Sequence, residues 1–394
     1  MVSQTQPTSL QEDVWVAGAC DMCFTPCGIK AHRVNGVITK VEGNPDFPYN
    51  RERLCAKGQA ALMTLYDPHR LRTPMRRTNP EKGVGIDPKW QEMSWEEALG
   101  LVAAKLKQTR AKDPRKLIIS SWDRPVAIEF LIPWATAYGT PETHYISASY
   151  FCGNALHQLT YLTNGTFHSE IDLAYCNYSI LFGNQHGHMV GCNANLNSQL
   201  MAEARMRGMK LVVIDPVCSH AASKADEWIP IRPGTDAALA LCMLNLLINE
   251  YGLYDAEFLR RRTNAPYLAG ADGHYLREAA TGKPLVWDED VGRAVPFDQA
   301  RQPALDGIHQ ISGSEVKPAF QLLREHVKSY TPEHVSPITT APAATIRRIT
   351  LEYGEAARIG STITLEGKVF PFRPAAVNQY RGSNAHKHGT HHAL

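Results

Sequence analysis

Four cysteines in the first 55 residues constrain the fold of this 394-residue chain more than any other feature. Three of them crowd one short segment, and a fourth follows after 27 intervening residues, in the pattern Cys20-x2-Cys23-x3-Cys27-x27-Cys55. A compact iron–sulfur cube needs thiolate ligands at its corners. Closely spaced cysteines on one loop supply several of them, and a cysteine distant in sequence completes the set of ligands. The spacing therefore predicts a [4Fe–4S] cluster.

Zinc is the structural alternative for these cysteines. Zinc sites usually pair their ligands as two C-x2-C knuckles or include spaced histidines, and a crowded trio with a lone fourth cysteine fits a cluster better. The chain has nine cysteines, an odd number, and in a reducing compartment such a group favours metal binding over disulfides.

The segments around the cysteines predict a small antiparallel domain organised by the metal. Residues 14–19 have the pattern of a short strand, and residues 32–41 that of a hairpin with Asn35–Gly36 as its two-residue turn. The first three cysteines would then lie on a loop, and Cys55 would return after the hairpin. Residues 67–88, rich in Pro, Arg and Gly, are interpreted as a connection.

The remainder of the chain predicts alternating strands and helices. Ser94 and Glu97 form a capping box at the start of a helix. The predicted strands are 116–121, 179–182 and 210–214, and the predicted helices are 126–138, 195–206, 237–249, 316–330 and 343–358, with an irregular excursion at 265–312. Strand–helix alternation indicates a parallel sheet with covered faces, and ligands bind beyond the carboxyl ends of its strands.

Three motifs, in this order, resemble the molybdopterin oxidoreductases of the dimethyl-sulfoxide-reductase superfamily. They are Cys55-Ala56-Lys57-Gly58, then Val213-Ile214-Asp215-Pro216 with ADEWIPIRPGTD at 225–236, and finally Tyr254-Asp255-x-x-Phe258. The resemblance implies an α/β fold: a small N-terminal antiparallel [4Fe–4S] domain followed by mixed α/β domains that include a Rossmann-like parallel sheet. It also implies a bis-molybdopterin guanine dinucleotide cofactor carrying molybdenum or tungsten, with the cluster relaying electrons.

The implied domain organisation has four parts. An iron–sulfur domain occupies residues 1–75, and the first part of a discontinuous pterin-binding α/β domain occupies residues 76–150. A Rossmann-like dinucleotide-binding domain occupies residues 151–330. Residues 331–394 return to the pterin-binding domain. Members of the family usually continue into a C-terminal domain that closes over the second pterin, and nothing in these residues supplies it. We therefore expect the 394 residues alone to bind the cofactor poorly.

Several residues are candidates for cofactor binding. At a strand end Asp215 can accept hydrogen bonds from a ribose or base, and Gly234 permits a close backbone approach to a flat base. The resemblance makes Asp236 the guanine-binding carboxylate and places Lys57 between cluster and pterin. The cofactor-binding candidates are Gly183, Asn184, Gln185, Asp215, Pro216, Pro233, Gly234 and Asp236. Each single Asp or Gly could instead serve turn chemistry.

Cys152 is the candidate protein ligand of molybdenum or tungsten. It lies 97 residues after Cys55, close to the spacing found in the family, and a soft thiolate suits such a metal. Helical sequence follows it, and a helix N-terminus favours a thiolate. The alternative is a small buried apolar cysteine. Core or loop positions are expected for Cys176, Cys192, Cys218 and Cys242.

The substrate is less constrained than the cofactor. Arg381 could hold an anionic substrate and His386 could move protons, although both could equally brace the pterin. Formate dehydrogenases place His after the metal ligand, where this chain has Gly153; hydratases place Asp after the second cluster cysteine, where this chain has Phe24. The candidates are a phenylacetyl-CoA:acceptor oxidoreductase, a thiosulfate or polysulfide reductase, a non-redox hydratase, and a non-catalytic electron-transfer subunit.

Charge and hydropathy bound the partners and the location. With 41 basic and 39 acidic side chains, the net charge of +2 gives no reason to expect nucleic acid or an anionic membrane. Residues 1–13 lack the apolar core of a secretory signal, which predicts a cytoplasmic location, or one at the cytoplasmic face of a membrane through partners. The expected partner is a ferredoxin-like iron–sulfur subunit, with or without a membrane-anchor subunit.

Overall fold

The computed structural model describes residues 12–23, 25–121, 125–145, 157–167, 169–188 and 193–384. The described residues fall into two compact units, one drawn from Met1–His168 and Gly187–Gln199 and the other from Ser169–His186 and Leu200–Leu394. The four-part division expected from the sequence stays a prediction. None of the helices in these ranges is long and apolar enough to cross a membrane.

The first unit begins with a three-stranded antiparallel sheet. Its strands and helices are β1 (Asp13–Ala19), β2 (Gly28–Val34), β3 (Val37–Gly43), α1 (Ala56–Gln59), α2 (Ala61–Leu65), β4 (Met75–Arg77), β5 (Trp90–Glu92), α3 (Trp95–Lys112), β6 (Ile119–Ser121), α4 (Pro125–Tyr138), β7 (Thr143–Tyr145) and α5 (Gln158–Asn164), with a 3-10 turn at Pro114–Lys116. The predicted antiparallel N-terminal domain is confirmed. Strands β4 and β5 form a small pair around the segment interpreted as a connection.

The predicted hairpin turn follows from backbone conformation. Asn35 has φ 48° and Gly36 has φ 80°, and a two-residue turn of this type matches the right-handed twist of the strands that it joins. Glycine reaches this region without a steric penalty and asparagine at a small one. Strands β2 and β3 therefore leave the turn paired at Val34↔Val37, and their register shifts between Arg33 and His32.

Helix α3 has the predicted cap and an exposed apolar face. The Ser94 hydroxyl accepts a hydrogen bond from the Glu97 backbone N–H at 3.1 Å. The helix buries none of its residues, and Leu99 and Val102 are 60% and 56% exposed. Phe130 on α4 is 73% exposed.

A four-stranded parallel sheet lies at the centre of the second unit. The remaining elements in chain order are β8 (Tyr178–Phe182), α6 (Ala194–Met206), β9 (Lys210–Ile214), β10 (Glu227–Ile229), α7 (Asp236–Asn245) with a π-helical turn at Leu246–Glu250, α8 (Ala256–Arg262), β11 (Leu268–Gly270), β12 (Leu285–Asp288), β13 (Arg293–Pro296), β14 (His309–Ile311), β15 (Ser314–Pro318), α9 (Ala319–Val327), α10 (Pro332–Thr339), α11 (Ala343–Ala356), β16 (Thr362–Leu365), β17 (Lys368–Pro371), β18 (Ala375–Gln379) and α12 (Arg381–Asn384), with a 3-10 turn at Ala222–Lys224.

Buried strands hold this sheet in its order. Strands β10, β9, β8 and β18 pair in parallel in that order. Ile180 and Ile214 pack in one hydrophobic cluster and Leu181 and Val213 in a second. Strands buried on both sides read as continuous apolar runs, which is why β8 and β9 were predictable. Strand β18 has mixed polarity and was not predicted.

Two expectations for the segment after the sheet are wrong. The excursion at 265–312 contains short antiparallel strands, formed both by a distant pairing, as in Leu268↔Pro318, and by a local hairpin, as in Leu285↔Pro296. The helix expected from 316 begins at Ala319 instead. Residues up to Pro318 belong to β15, and Pro318, which has no N–H to donate, ends the strand and caps the helix.

Asp288 braces the loop beyond β12. Its buried carboxylate accepts backbone hydrogen bonds from Arg301 at 2.9 Å and from Gln302 and Asp290 at 3.1 Å each. These hydrogen bonds, that of Arg301 first, hold the pKa of Asp288 below its usual value. The carboxylate thus satisfies three N–H groups that no strand pairs.

We predict that Asp288→Ala lowers the free energy of unfolding by about 3 kcal/mol, because hydrogen bonds to a charged acceptor contribute about 1.5–3 kcal/mol each and the orphaned donors lose them. Denaturant unfolding of Asp290→Ala, which removes an exposed carboxylate from the same loop, is the control and should match wild type. The stability that Asp288→Ala loses relative to wild type should be greatest above the pKa of an aspartate in the unfolded chain, about 3.9. It should vanish as the pH falls through the lower pKa of Asp288 in the folded protein. Equal stability of both variants at neutral pH would contradict the brace.

Candidate iron–sulfur and dinucleotide sites

The first three cysteines lie on the loop that joins β1 to β2. The strands end at the pair Ala19↔Gly28, and the Cys20 N–H donates to the Cys27 carbonyl at 2.8 Å, which closes the loop at its base. Cys55 is the residue immediately before α1 and makes no side-chain capping bond. Cys27 is buried, and the other three cysteines are half-buried and free of disulfides.

The four thiols share one electrostatic neighbourhood. Burial raises the pKa of Cys20, and the charges of Cys23 and Cys55 raise it further. Burial likewise raises the pKa of Cys27, the hydrogen bond from Asn195 lowers it, and the other three cysteines raise it again. Four thiolates so placed repel one another, and a multivalent iron centre would offset that repulsion.

Several N–H groups point at sulfur atoms of this loop, among them the Met22 backbone N–H, which bonds to the sulfur of Cys20. The Thr25 backbone N–H lies 3.4 Å from Cys23 Sγ, and the Asn195 side-chain amide lies 3.5 Å from Cys27 Sγ. Fe–S clusters are held by cysteine thiolates and tuned by hydrogen bonds to sulfur, so the donor set fits a cluster.

The lack of a compact group of three ligands among the described residues does not weigh against a cluster. Within the residues that the structure describes, no three His, Cys, Asp or Glu side chains converge on a single metal ion. A zinc ion with bonds of about 2.3 Å would need its sulfurs in such convergence. The ligands of a [4Fe–4S] cube bind four different irons and stand farther apart.

In the second unit, several predicted cofactor residues follow the carboxyl ends of neighbouring strands. Gly183 and Asn184 come directly after β8, and Asp215 comes directly after β9. The strands are parallel, so these residues lie along the same edge of the sheet. Asp215 and Asn184 are buried, and the Asp215 carboxylate accepts from the Val217 N–H at 3.0 Å.

The segment after β10 adds to this edge. Gly234 has φ 77°, a region that favours glycine, and helix α7 begins two residues later at Asp236. Asp236 is buried and lies in the first turn of the ten-residue helix, where a carboxylate is favoured by the helix dipole. Gln185 follows Asn184 in the loop after β8, Pro216 follows Asp215, and Pro233 precedes Gly234.

The strand order reverses between β8 and β18. The chain adds β9 and β10 on one side of β8, whereas β18 lies on the other side. Crevices at such reversals bind ligands in open α/β sheets. Here Gly183 and Gly382 pack backbone to backbone: a Cβ on Gly382 would collide with the Gly183 carbonyl oxygen.

The remaining candidates are less defined by the structure. Lys57 lies exposed on α1, two residues after Cys55. Arg381 begins α12, and its side chain is outside what the structure describes; Cys152 and His386 lie outside the described residues altogether, as does Cys192. Burial raises the pKa of Cys242 to about 12 and also raises that of Cys176, as expected of core cysteines, while Cys218 is exposed.

A cavity of 270 Å³ in the second unit lies away from these residues. It is lined by residues before β8, from the β16–β17 hairpin and around the start of β18, among them Cys176, Phe370, Arg373 and Ala376. These positions are at the amino-terminal edge of the parallel strands. The cavity is therefore not the predicted cofactor crevice.

Fold and site together define an iron–sulfur protein with an open α/β domain. The chain belongs to the molybdopterin oxidoreductase family: residues 13–67 match the model of the molybdopterin oxidoreductase Fe4S4 domain, and residues 70–332 match that of molybdopterin oxidoreductase. The cofactors are accordingly a [4Fe–4S] cluster and molybdopterin.

Curated relatives agree with this family. The chain is 33% identical over 401 aligned positions to one subunit of the sulfite dehydrogenase of Allochromatium vinosum, and the alignment covers 94% of this chain and 40% of the relative. It is 35% identical over 246 residues to the molybdopterin-containing subunit of thiosulfate reductase from Salmonella typhimurium, covering 62% of this chain and 31% of the relative. The chain thus spans well under half the length of these relatives, and both are subunits of larger enzymes.

Among solved structures, acetylene hydratase from Pelobacter acetylenicus resembles this chain with a TM-score of 0.59. The identity is 24%, and the match covers 86% of this chain and 38% of that one. This likeness shows the fold alone and does not favour hydration chemistry.

One group at the cysteine site was missed from the sequence. Asn50, Asn195 and Gln199 form a buried amide network beside the loop. The members Asn50 and Gln199 are 149 residues apart, so no local spacing could have pointed to them.

We predict that Cys55→Ser lowers the iron content of the anaerobically purified protein from about four per chain and changes the EPR signal of the reduced cluster, because serine replaces one thiolate corner. Cys218→Ser, on an exposed loop, is the matched control and should keep iron and spectrum. A Cys55→Ser protein with wild-type iron and an unchanged spectrum would remove Cys55 from the ligand set.

Proposed function

We propose that the chain forms the iron–sulfur and dinucleotide-binding part of the catalytic subunit of a molybdenum or tungsten oxidoreductase. The observation that carries the proposal is the pair of family matches in chain order, over residues 13–67 and 70–332, on a chain whose four N-terminal thiols share one site. In this proposal Cys20, Cys23, Cys27 and Cys55 hold the cluster.

The dinucleotide is assigned to the carboxyl edge of the parallel sheet. Asp215 and Asp236 would accept hydrogen bonds from ribose and guanine, and Gly234 would let the backbone approach the base. Gly183, Asn184 and Gln185 would face the pterin beside the crevice between β8 and β18. The cofactor in this proposal is the bis-molybdopterin guanine dinucleotide.

The substrate that we propose is a small sulfur oxyanion. Two relatives with high identity are named for sulfite and thiosulfate, and the second is a reductase of the sulfur-compound class considered from the sequence. When bound, the molybdenum or tungsten cofactor supplies the two-electron redox chemistry. Phenylacetyl-CoA, the substrate of the phenylacetyl-CoA:acceptor oxidoreductases considered from the sequence, remains the predicted alternative substrate.

The roles of four residues follow from this proposal. Cys152 would bind the cofactor metal, and Arg381 would hold the oxyanion through paired N–H groups. His386 would move protons as the oxyanion changes oxidation state. Lys57, exposed beside Cys55, would lie between cluster and pterin.

We assign the exchange of electrons with the [4Fe–4S] cluster to a second protein chain. A [4Fe–4S] cluster carries one electron at a time, so a two-electron substrate reaction needs an acceptor or donor beyond it. A ferredoxin-like iron–sulfur subunit, with or without a membrane anchor, meets this need. Copurification and fractionation of the native complex test this partner and the predicted cytoplasmic location together.

Elemental analysis of the protein, purified from its natural complex without oxygen, tests the cofactor assignment. About four irons with one molybdenum or tungsten per chain are expected. Zinc without iron would contradict the cluster, and iron with neither heavy metal would contradict the catalytic assignment and favour an electron-transfer subunit.

The substrate is tested by anaerobic assays on the same preparation. Sulfite and water should yield sulfate and two protons while two ferricyanide ions each take one electron. Alternatively, thiosulfate should take two electrons from reduced viologen and one proton, and yield sulfite and hydrosulfide. Turnover with phenylacetyl-CoA and with neither sulfur compound would replace the proposed substrate without affecting the cofactor assignment.

We predict that Gly382→Ala lowers the molybdenum or tungsten content at least about tenfold, about 1.4 kcal/mol of binding free energy, while iron stays at the wild-type level. The added Cβ would collide with the Gly183 carbonyl and separate the backbones at the crevice. Gly100→Ala, where nothing lies within 4 Å of the added Cβ, is the control. Unchanged heavy-metal content in Gly382→Ala would place the dinucleotide elsewhere.

A further inference from the structure

Asn195 touches the cysteine site from the start of helix α6. Its Nδ2 lies 3.5 Å from Cys27 Sγ and also donates to the Arg53 carbonyl at 3.0 Å. Both Asn195 and Cys27 are buried, with 6% and 4% of their surface exposed. A hydrogen bond to sulfur in such a dry setting is electrostatically stronger than one in water.

The orientation of this amide is fixed by a chain of hydrogen bonds. The Arg53 guanidinium, which can only donate, bonds to Gln199 Oε1 at 2.7 Å. The other end of that amide, Gln199 Nε2, therefore donates to Asn195 Oδ1 at 2.7 Å, one helical turn away. Because its oxygen is taken by this donor, Asn195 presents N–H to the sulfur.

The network is also tied to the loop on the far side of the cysteines. Gln199 Nε2 donates to the Asn50 carbonyl at 3.0 Å, and the Asn50 side chain bonds both to the N–H and to the carbonyl of Gly28, next to Cys27. The sulfur and its donor are thus held by the same set of buried amides. A rotation of the Asn195 amide would break several bonds at once.

We propose that Asn195 sets the reduction potential of the [4Fe–4S] cluster through its N–H···S hydrogen bond to Cys27. The inference rests on the assignment of the cluster to Cys20, Cys23, Cys27 and Cys55. On reduction the cluster gains one electron and no proton, and part of the added negative charge lies on the cysteine sulfurs. A hydrogen-bond donor stabilises this form more than the oxidised one, and so raises the potential.

The N–H groups of Met22 and Thr25 that bond to Cys20 and Cys23 come from the backbone and are shared by every side-chain variant. Among the residues that the structure describes, Asn195 is therefore the side-chain donor through which substitution can tune the cluster. It is a positioning and tuning residue that would act on the cluster through Cys27.

The test is an EPR-monitored dithionite titration of the holoprotein, with iron measured in each sample. Asn195→Leu keeps the size of the side chain and removes the donor, and should lower the reduced-to-oxidised ratio at fixed potential by about three- to tenfold, where tenfold corresponds to about 59 mV for one electron. Asn195→Asp keeps the acceptor for Gln199 and brings an anion to the sulfur, so its shift should be larger.

The control is Tyr49→Phe. The Tyr49 hydroxyl donates to Asn193 Oδ1 at 2.6 Å, so this variant loosens the same pair of segments without touching a sulfur or changing a charge. Its potential should equal that of the wild type. A shift as large as that of Asn195→Leu would mean that the potential follows packing, and would overturn the proposal.

The outcomes separate this inference from the proposed function. If the wild-type protein does not contain about four irons per chain, the assignment of the cluster itself is contradicted. If all variants keep the full iron content and their reduction potentials equal that of the wild type, only the role of Asn195 is overturned. If both Asn195 variants lose iron, a second experiment on wild-type protein labelled with ¹⁵N at the asparagine side-chain amides tests the proposal. Pulsed EPR of the reduced cluster should show a coupling to ¹⁵N. The absence of this coupling would overturn the proposal.

Discussion

Parallel strand pairing is the constraint on which the functional geometry of the second unit depends. Phe182 pairs with Ile214 and Gln379 pairs with Phe182, so three strands end level with one another. The residues that follow them come from distant parts of the sequence and still reach one edge. Packing of the strand interiors between two hydrophobic clusters holds that register, since a slip of one residue would move each side chain from one cluster into the other.

Electrostatics plays the corresponding part in the first unit. Four thiols on a hairpin loop and before a short helix are costly to ionise together, as the raised pKa values of Cys20 and Cys27 indicate. Metal binding requires the thiolate form, so the cluster and the folded loop stabilise each other. The buried amides around Asn195 fix donors at the sulfurs, where a polar group without a partner would be unfavourable.

Local signals explain what could be predicted. The Asn35–Gly36 turn, the Ser94 cap and the apolar runs of β8 and β9 each lie within a few residues of sequence, and each is present in the structure. The strands β11 and β18 were missed because their partners lie tens to hundreds of residues away. The amide network was missed for the same reason. The short hairpins β12–β13 and β14–β15 are local and were also missed.

The sequence by itself determined the family and the chemistry of the donors. Cysteine spacing and ordered motifs name a [4Fe–4S] cluster and a molybdopterin oxidoreductase, because ligand type and turn chemistry are properties of single residues and short segments. Only the tertiary structure decided which backbones touch, as at Gly183 and Gly382, and which amide faces Cys27. Such contacts depend on the packing of segments distant in sequence, and no short pattern encodes them.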